Sequence, residues 1–318
     1  MGISSLSLSL LLAATPLAVQ PVSSPVDAEP IAEVHYLRML QSDDLAQLQQ
    51  ACRDAARFGL KQRLQDLRDR LMLVAPAPQP FAVVTANTRA LLACKAPESA
   101  QRVLSRYGPG SGLERQQWLV LSWRAAAAAL DHQRAILALR RLAEGDLSRL
   151  ERVQLPLVET ATGLTITRLA LDQLAEHEAA AGRIDRAAAV ALSAPSFGRE
   201  GAARLARAAL WLEELGQNDA TNLLETALDQ AAAAEAWSLA EDLLRIQLRL
   251  ERKAGGDGAR PRARLERLAT RLDDRYTLWQ LIREDSDSTA VDQRRMELER
   301  QLRSPRRLGG SSSLGESD

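Results

Sequence analysis

Aromatic side chains are scarce in this 318-residue chain, at 3% of all positions. Val, Ile and Thr are sparse as well. Strands draw on β-branched and aromatic residues, so this poverty excludes an extensive β fold. The abundant Ala, Leu, Arg, Glu and Gln select an all-α class. Lysine is nearly missing: Lys61, Lys95 and Lys253 are the only three, against 38 arginines among the 41 basic residues. Arginine suits bidentate recognition of carboxylate or phosphate. Alanine is equally inflated, however, which points to a GC-rich coding sequence before it points to a ligand. There is no net charge, with 41 acidic residues balancing the 41 basic ones. A chain that tracks a phosphate backbone carries a net basic surface, so nucleic acid is not an expected partner.

Chemistry-bearing motifs are equally thin. Cys52 and Cys94 are the two cysteines. Neither belongs to a CxxC or a Cys/His cluster, which excludes a zinc site built on that spacing. Both sit in apolar or helical sequence and are expected as buried free thiols that give no redox-compartment signal. His35, His132 and His177 each stand alone, without a second ligand at helical spacing. One turn from His177 lie Gln173, Ala180 and Ala181, while Glu176 points to a different face; a solvated or core imidazole is expected. GxxxxGK[ST], GxGxxG, GxSxG and HExxH do not occur. The glycine-rich run Gly108–Gly112 lies between helices rather than after a strand and reads as a loop. No catalytic, cofactor-binding or metal residue is nominated, and no cofactor or small-molecule substrate is expected. An enzyme remains the second class only if the fold assembles a site, for instance by bringing His132 or His177 within reach of buried carboxylates.

The first thirty residues leave alternatives open. Leu6 to Val19 is apolar enough for the core of an export signal but short of the roughly 20 residues a membrane-spanning helix needs. Small residues near Ala28 suit cleavage. Yet no basic residue precedes Arg38, and Pro16 interrupts the run. An export signal, a poorly ordered leader and a misassigned start all fit. The corresponding localisation is cytoplasmic, with an exported or membrane-attached protein through residues 1–28 as the alternative.

What is present in quantity is helical periodicity. Apolar residues recur at i, i+3, i+4 and i+7, as in the stripe of Trp237, Ala240, Leu243, Leu244 and Leu248. Gly59, Gly108, Gly145, Gly182, Gly216 and Gly255 end such segments, and after the first they fall 37, 37, 34 and 39 residues apart, the length of a helix pair. The spacing predicts a short helix near 31–41 and helices over 42–59 and 60–74. It predicts pairs at 81–95 with 97–107, 113–130 with 132–144, 167–181 with 184–194, 198–215 with 218–234 and 236–253 with 260–274. Residues 146–166 are the exception. Rich in Val, Thr and Ile and broken by Pro156 and Gly163, they predict an extended connection or small hairpin. The division is a leader over 1–30, helical hairpins over 31–145, the insertion over 146–166, regular repeats over 167–284, and a charged helical remnant with a disordered tail over 285–318. The remnant's arginines, Arg294 to Arg307, are interleaved with Asp292, Glu297 and Glu299, which blunts any basic field.

Within the regular part, Leu171 to Pro195 carries a recognisable set of positions. Leu171, Leu174 and Ala175 supply the apolar and small residues of a first helix, Gly182 its turn, and Ala187 and Ala194 the close contacts of the second. Ala209, Leu212, Gly216, Ala220, Ala227 and Leu228 repeat part of this, and Ala100 and Ala135 hold the equivalent position in earlier pairs. This pattern resembles the tetratricopeptide repeat. The resemblance implies a right-handed helical solenoid, with a compact irregular helical bundle as the alternative, and a non-enzymatic scaffold whose groove holds a protein or peptide partner. The basic carboxylate clamp of one variety of that family is not matched, because Asp172 and Glu176 occupy the corresponding face. Among the five tryptophans, Trp118 and Trp123 diverge by about 140° on one helix. One therefore suits the core and the other a groove. Trp118, Trp123 and the adjoining Arg124 are the candidate partner-binding residues.

Overall fold

The computed structural model describes residues 29–74, 78–159, 165–195, 197–283 and 289–303. The expected leader, but for residues 29 and 30, and the expected tail beyond 303 lie outside the described residues. Among the described residues there are fifteen α-helices, one 3-10 turn and one two-stranded hairpin. The first part holds α1 (Glu33–Leu40), α2 (Leu45–Arg57), α3 (Lys61–Leu73), α4 (Phe81–Ala93), α5 (Pro97–Leu104), α6 (Leu113–Ala128) and α7 (His132–Ala143). After the insertion come α8 (Ala170–Ala180), α9 (Ile184–Ala191), α10 (Gly198–Glu214), α11 (Ala220–Ala233), α12 (Trp237–Lys253), α13 (Ala259–Arg271), α14 (Arg275–Arg283) and α15 (Thr289–Arg303). The chain is thus an all-α protein of many packed helices. No described helix is long and apolar enough to cross a membrane.

Local chemistry accounts for several boundaries. Asp44 opens α2 by accepting from the Ala46 amide at 2.8 Å, and Asp131 opens α7 by accepting from the Arg134 amide at 3.0 Å. Both satisfy amides that a helix leaves unpaired in its first turn. Pro97 starts α5 where its missing N–H costs nothing.

Packing follows chain order. Each helix lies mainly against its neighbours in sequence, while α2 also touches α4, α4 touches α6, and α10 touches α12. The buried apolar residues form three successive clusters, within α1–α6, α6–α10 and α9–α14. Helices that face two clusters join them. On α6, Leu121 and Ala125 belong to the first, and Trp123 and Ala126 to the second. On α10, Ala208 looks one way and Ala209 the other. The small and apolar positions singled out at 100, 135, 171, 174, 175, 187, 194, 209, 212, 220, 227 and 228 are all buried.

The glycine period mixed two phases. Turns that close a first helix carry a left-handed residue at Gly59, Lys95, Leu130, Gly182, Gly216 and Gly255, which follow one another at 36, 35, 52, 34 and 39 residues. Gly108 and Gly145 instead follow the second helices α5 and α7. Lys95 and Leu130 adopt φ of 56° where glycine is the usual occupant, so glycine alone could not mark those turns.

The single long spacing contains the insertion. It begins with a 3-10 turn, Leu147–Arg152, and continues into β1 (Gln154–Glu159) and β2 (Thr165–Leu169). The strands pair antiparallel from Gln154 opposite Leu169 to Glu159 opposite Thr165, with a shift of register between Pro156 and Val158. A proline that cannot donate to a ladder is accommodated at such an irregularity. The hairpin runs three residues past the expected 166. Leu150 and Leu155 are buried in the middle cluster and anchor it to the helices.

The cysteines correct an expectation. Cys52 on α2 and Cys94 at the end of α4 are joined by a disulfide, with Cα atoms 4.6 Å apart. Both are buried, as free thiols would also be. What separates the two states is the partner, which a separation of 42 residues conceals until α2 and α4 are seen side by side.

Candidate functional site

Helix α8 is the least ordinary element of the chain. Eight of its eleven residues are buried, including Asp172, Gln173, His177 and Glu178. Buried charge is tolerated only when paired, and each is paired by a neighbouring helix. Arg204 of α10, only 1% exposed, donates from Nε to Asp172 at 2.7 Å and from Nη2 to Glu151 of the 3-10 turn at 3.0 Å. Burial alone would lower the pKa of this guanidinium. The hydrogen bonds to Glu151 and Asp172 outweigh burial and hold it above its ordinary value. Glu178, with no exposed surface, accepts from Arg140 of α7 at 2.6 and 3.0 Å and lies 2.7 Å from Arg183. Glu176 is bound by Arg168, Arg207 and Gln173. Asp172 and Glu176 therefore do not present a free acidic face: internal arginines occupy both.

Trp123 of α6, His177 of α8 and His132 of α7 form a polar chain through the same packing. The Trp123 indole donates to His177 Nε2 at 3.0 Å, and His177 Nδ1 lies 3.0 Å from His132 Nδ1. An indole N–H only donates, so His177 Nε2 carries no proton. The neutral ring then holds its proton on Nδ1 and donates it to His132. Burial, and secondarily the neighbouring His132, push the His177 pKa from 6.5 down to about 4. Neither ring is hydrogen-bonded to a carboxylate among the described residues, and the described residues hold no cluster of three or more His, Cys, Asp or Glu able to take a metal.

The three candidate partner-binding residues separate. Trp123, 2% exposed, belongs to the core and presents no surface to a partner. Arg124 is half-buried and engaged. Trp118 is half-buried and lines a cleft of about 510 Å3 between α5, α6 and α7. Its indole donates to the Leu104 carbonyl at 3.0 Å, which fixes the ring against the end of α5.

One wall of the cleft is the α5 row Glu98, Gln101, Arg102 and Ser105; the other is the α7 row Arg134, Leu137, Ala138 and Arg141. Each row follows i, i+3, i+4, i+7, one stripe of a helix. Trp118, Leu119 and Ser122 of α6 lie between them. Arg134 pairs with Asp131 and Gln101, and Arg102 donates to Ser99 at 2.9 Å. Leu137 is 49% exposed. Sequence alone nominated Trp118 but missed the α7 row, because periodicity marks a stripe without telling whether it meets the core or an open cleft. A second cleft, about 480 Å3 between α12 and α14, is lined by Arg245, Arg249, Arg252, Arg283 and Asp242 among others. No family model matches the sequence, and no curated protein matches it.

Proposed function

We propose that this chain is a non-enzymatic scaffold of tetratricopeptide-like helix pairs, stacked as a right-handed solenoid, that binds another protein. The observation that carries the reading is serial packing: consecutive helix pairs bury three successive clusters, with first helices touching across pairs in the arrangement α2–α4–α6. A chain built this way has much surface per residue and clefts between repeats, which suits recognition more than enclosed chemistry. The half-buried Trp118 beside arginines has the composition favoured where binding energy concentrates. Co-purification of the tagged full chain with mass spectrometry tests the reading. A stoichiometric protein partner at native salt is expected, and recovery of none would count against a scaffold.

A second element concerns location. The Cys52–Cys94 bond favours an exported protein over a cytoplasmic one, because reducing compartments seldom keep structural disulfides. The apolar stretch from Leu6 to Val19 agrees with that. Intact-mass measurement of alkylated protein from its native source decides the matter: an exported chain leaves both cysteines unalkylated. Two alkylated cysteines contradict export.

A further inference from the structure

We propose that the cleft between α5, α6 and α7 docks one amphipathic helix of a partner protein, with acidic residues at i and i+7 and large apolar residues at i+3 and i+4. This deepens the scaffold reading and rests on it. The cleft lies along the second helices α5 and α7 of successive pairs, with α6 as its floor. It is therefore separate from a groove lined by first helices alone.

Three features specify the occupant. First, the α7 wall places Arg134 and Arg141 seven residues apart with Leu137 and Ala138 between them. Seven residues of helix span about 10 Å, so two acidic side chains at i and i+7 of a docked helix match the two guanidinium groups. Second, the floor and walls between those cations are apolar: Trp118, Leu119, Leu104, Leu137 and Ala138. Leu137 keeps 49% of its surface exposed, and it is the side chain that a partner's i+3 and i+4 residues would cover. Third, the charge is one-sided. Arg102, Arg134 and Arg141 line the cleft with a single acid, Glu98, and of the three Arg134 also pairs with Asp131 beside it. Arg141 has no acidic partner among the described residues, whereas its neighbour Arg140 is committed to Glu178 of α8. Arginine offers a planar fork for a carboxylate that lysine lacks. A cleft of about 510 Å3 holds a few side chains, which fits one helical ridge rather than a folded domain.

The test uses the full oxidised chain and fluorescein-labelled, 16-residue Ala/Gln-based helical peptides read by anisotropy. One peptide carries Glu at i and i+7 and Leu at i+3 and i+4; a second has Lys for Glu, and a third has Ala for Leu. The Glu/Leu peptide is expected to bind at least tenfold more tightly than either control. Arg141→Glu is expected to weaken it at least tenfold and to improve binding of the Lys peptide. Leu137→Asp, at an exposed position, weakens both. The proposal is overturned if the Glu and Lys peptides bind alike, if Arg141→Glu changes neither, or if no peptide binds. It is also overturned if phosphatidylglycerol vesicles bind in an Arg141-dependent way while the peptides do not, since the ligand is then a lipid surface. A stoichiometric protein partner that still co-purifies with both variants would sink the cleft while leaving the scaffold reading intact.

Discussion

The first and middle parts of the chain hold similar helix pairs together by opposite means. Around α2, α3 and α4 the buried set holds no charged side chain. The pairs are tied by the covalent Cys52–Cys94 bond between two first helices and by neutral or backbone contacts such as Asn87 donating to the Leu71 carbonyl at 3.0 Å. Around α8 there is no covalent tie. There the insertion, α7 and α10 converge on buried acids, and arginines at 140, 183, 204 and 207 stitch four elements together. The difference tracks the insertion. Where pairs follow one another at 36 and 35 residues, apolar stripes meet directly. Where the hairpin intervenes, Arg204 holds Glu151 at its base directly and Asp172 of α8 at the same time. A disulfide acts chiefly on the unfolded chain, whereas a buried ion network enforces one arrangement of the folded one.

Removing one member of the network should have the largest effect. Arg204→Ala leaves buried Asp172 with only the more distant Arg207, 3.6 Å away, at a cost of up to about 5 kcal/mol; urea unfolding followed by far-UV circular dichroism reads it. Arg204→Met with Asp172→Leu should recover much of the loss, since an apolar replacement of both partners relieves the desolvation. Breaking the other device comes next. The Cys52→Ala/Cys94→Ala variant releases a loop of 42 residues, worth about 4 kcal/mol in chain entropy, and the wild type in reductant should match it.

The Trp123–His177–His132 chain predicts a smaller, pH-dependent loss confined to the middle region. The His177 pKa of about 4 in the fold lies below its ordinary 6.5, so the unfolded chain binds the proton more readily. This contribution is complete above pH 6.5, falls as pH drops from 6.5 toward 4, and is absent below. A shift of that size corresponds to at most about 3 kcal/mol. His177→Gln should flatten the stability profile over that window relative to wild type, and an unchanged slope would show that the imidazole is not held neutral. The smallest effects sit at the turns. Leu130, 76% exposed with φ of 56°, should tolerate Leu130→Gly with a gain of up to about 1 kcal/mol, whereas Gly182→Ala at φ of 76° should lose about as much.

Helix existence was legible in the sequence, because a stripe such as Trp237 to Leu248 needs only its own residues to declare itself. The insertion was legible for the same reason, since Val153 to Thr167 breaks the composition around it. The repeat phase was less so: a left-handed turn is set by backbone geometry, and Lys95 and Leu130 adopt it without glycine's mark. The disulfide was hidden because each cysteine occupies an ordinary core position of its own helix. Helix α8 was the least legible. Its imidazole at His177 takes the core alternative of the two that were open, while the partners that hold Asp172, His177 and Glu178 lie 32, 45 and 38 residues away and cannot be read from one helix. Trp118 could be nominated but not completed, since its cleft is made by rows on two other helices.

Two regional devices in a serially packed chain should fail separately. Hydrogen–deuterium exchange read by mass spectrometry, on the oxidised chain, the reduced chain and Arg204→Ala, tests this most directly. Reduction is expected to accelerate exchange in α2 to α5 and leave α10 to α13 as they were. Arg204→Ala is expected to expose the 3-10 turn, α8 and α10 while α2 to α4 stay protected. Uniform acceleration along the whole chain in both cases would contradict serial packing and show one cooperative bundle.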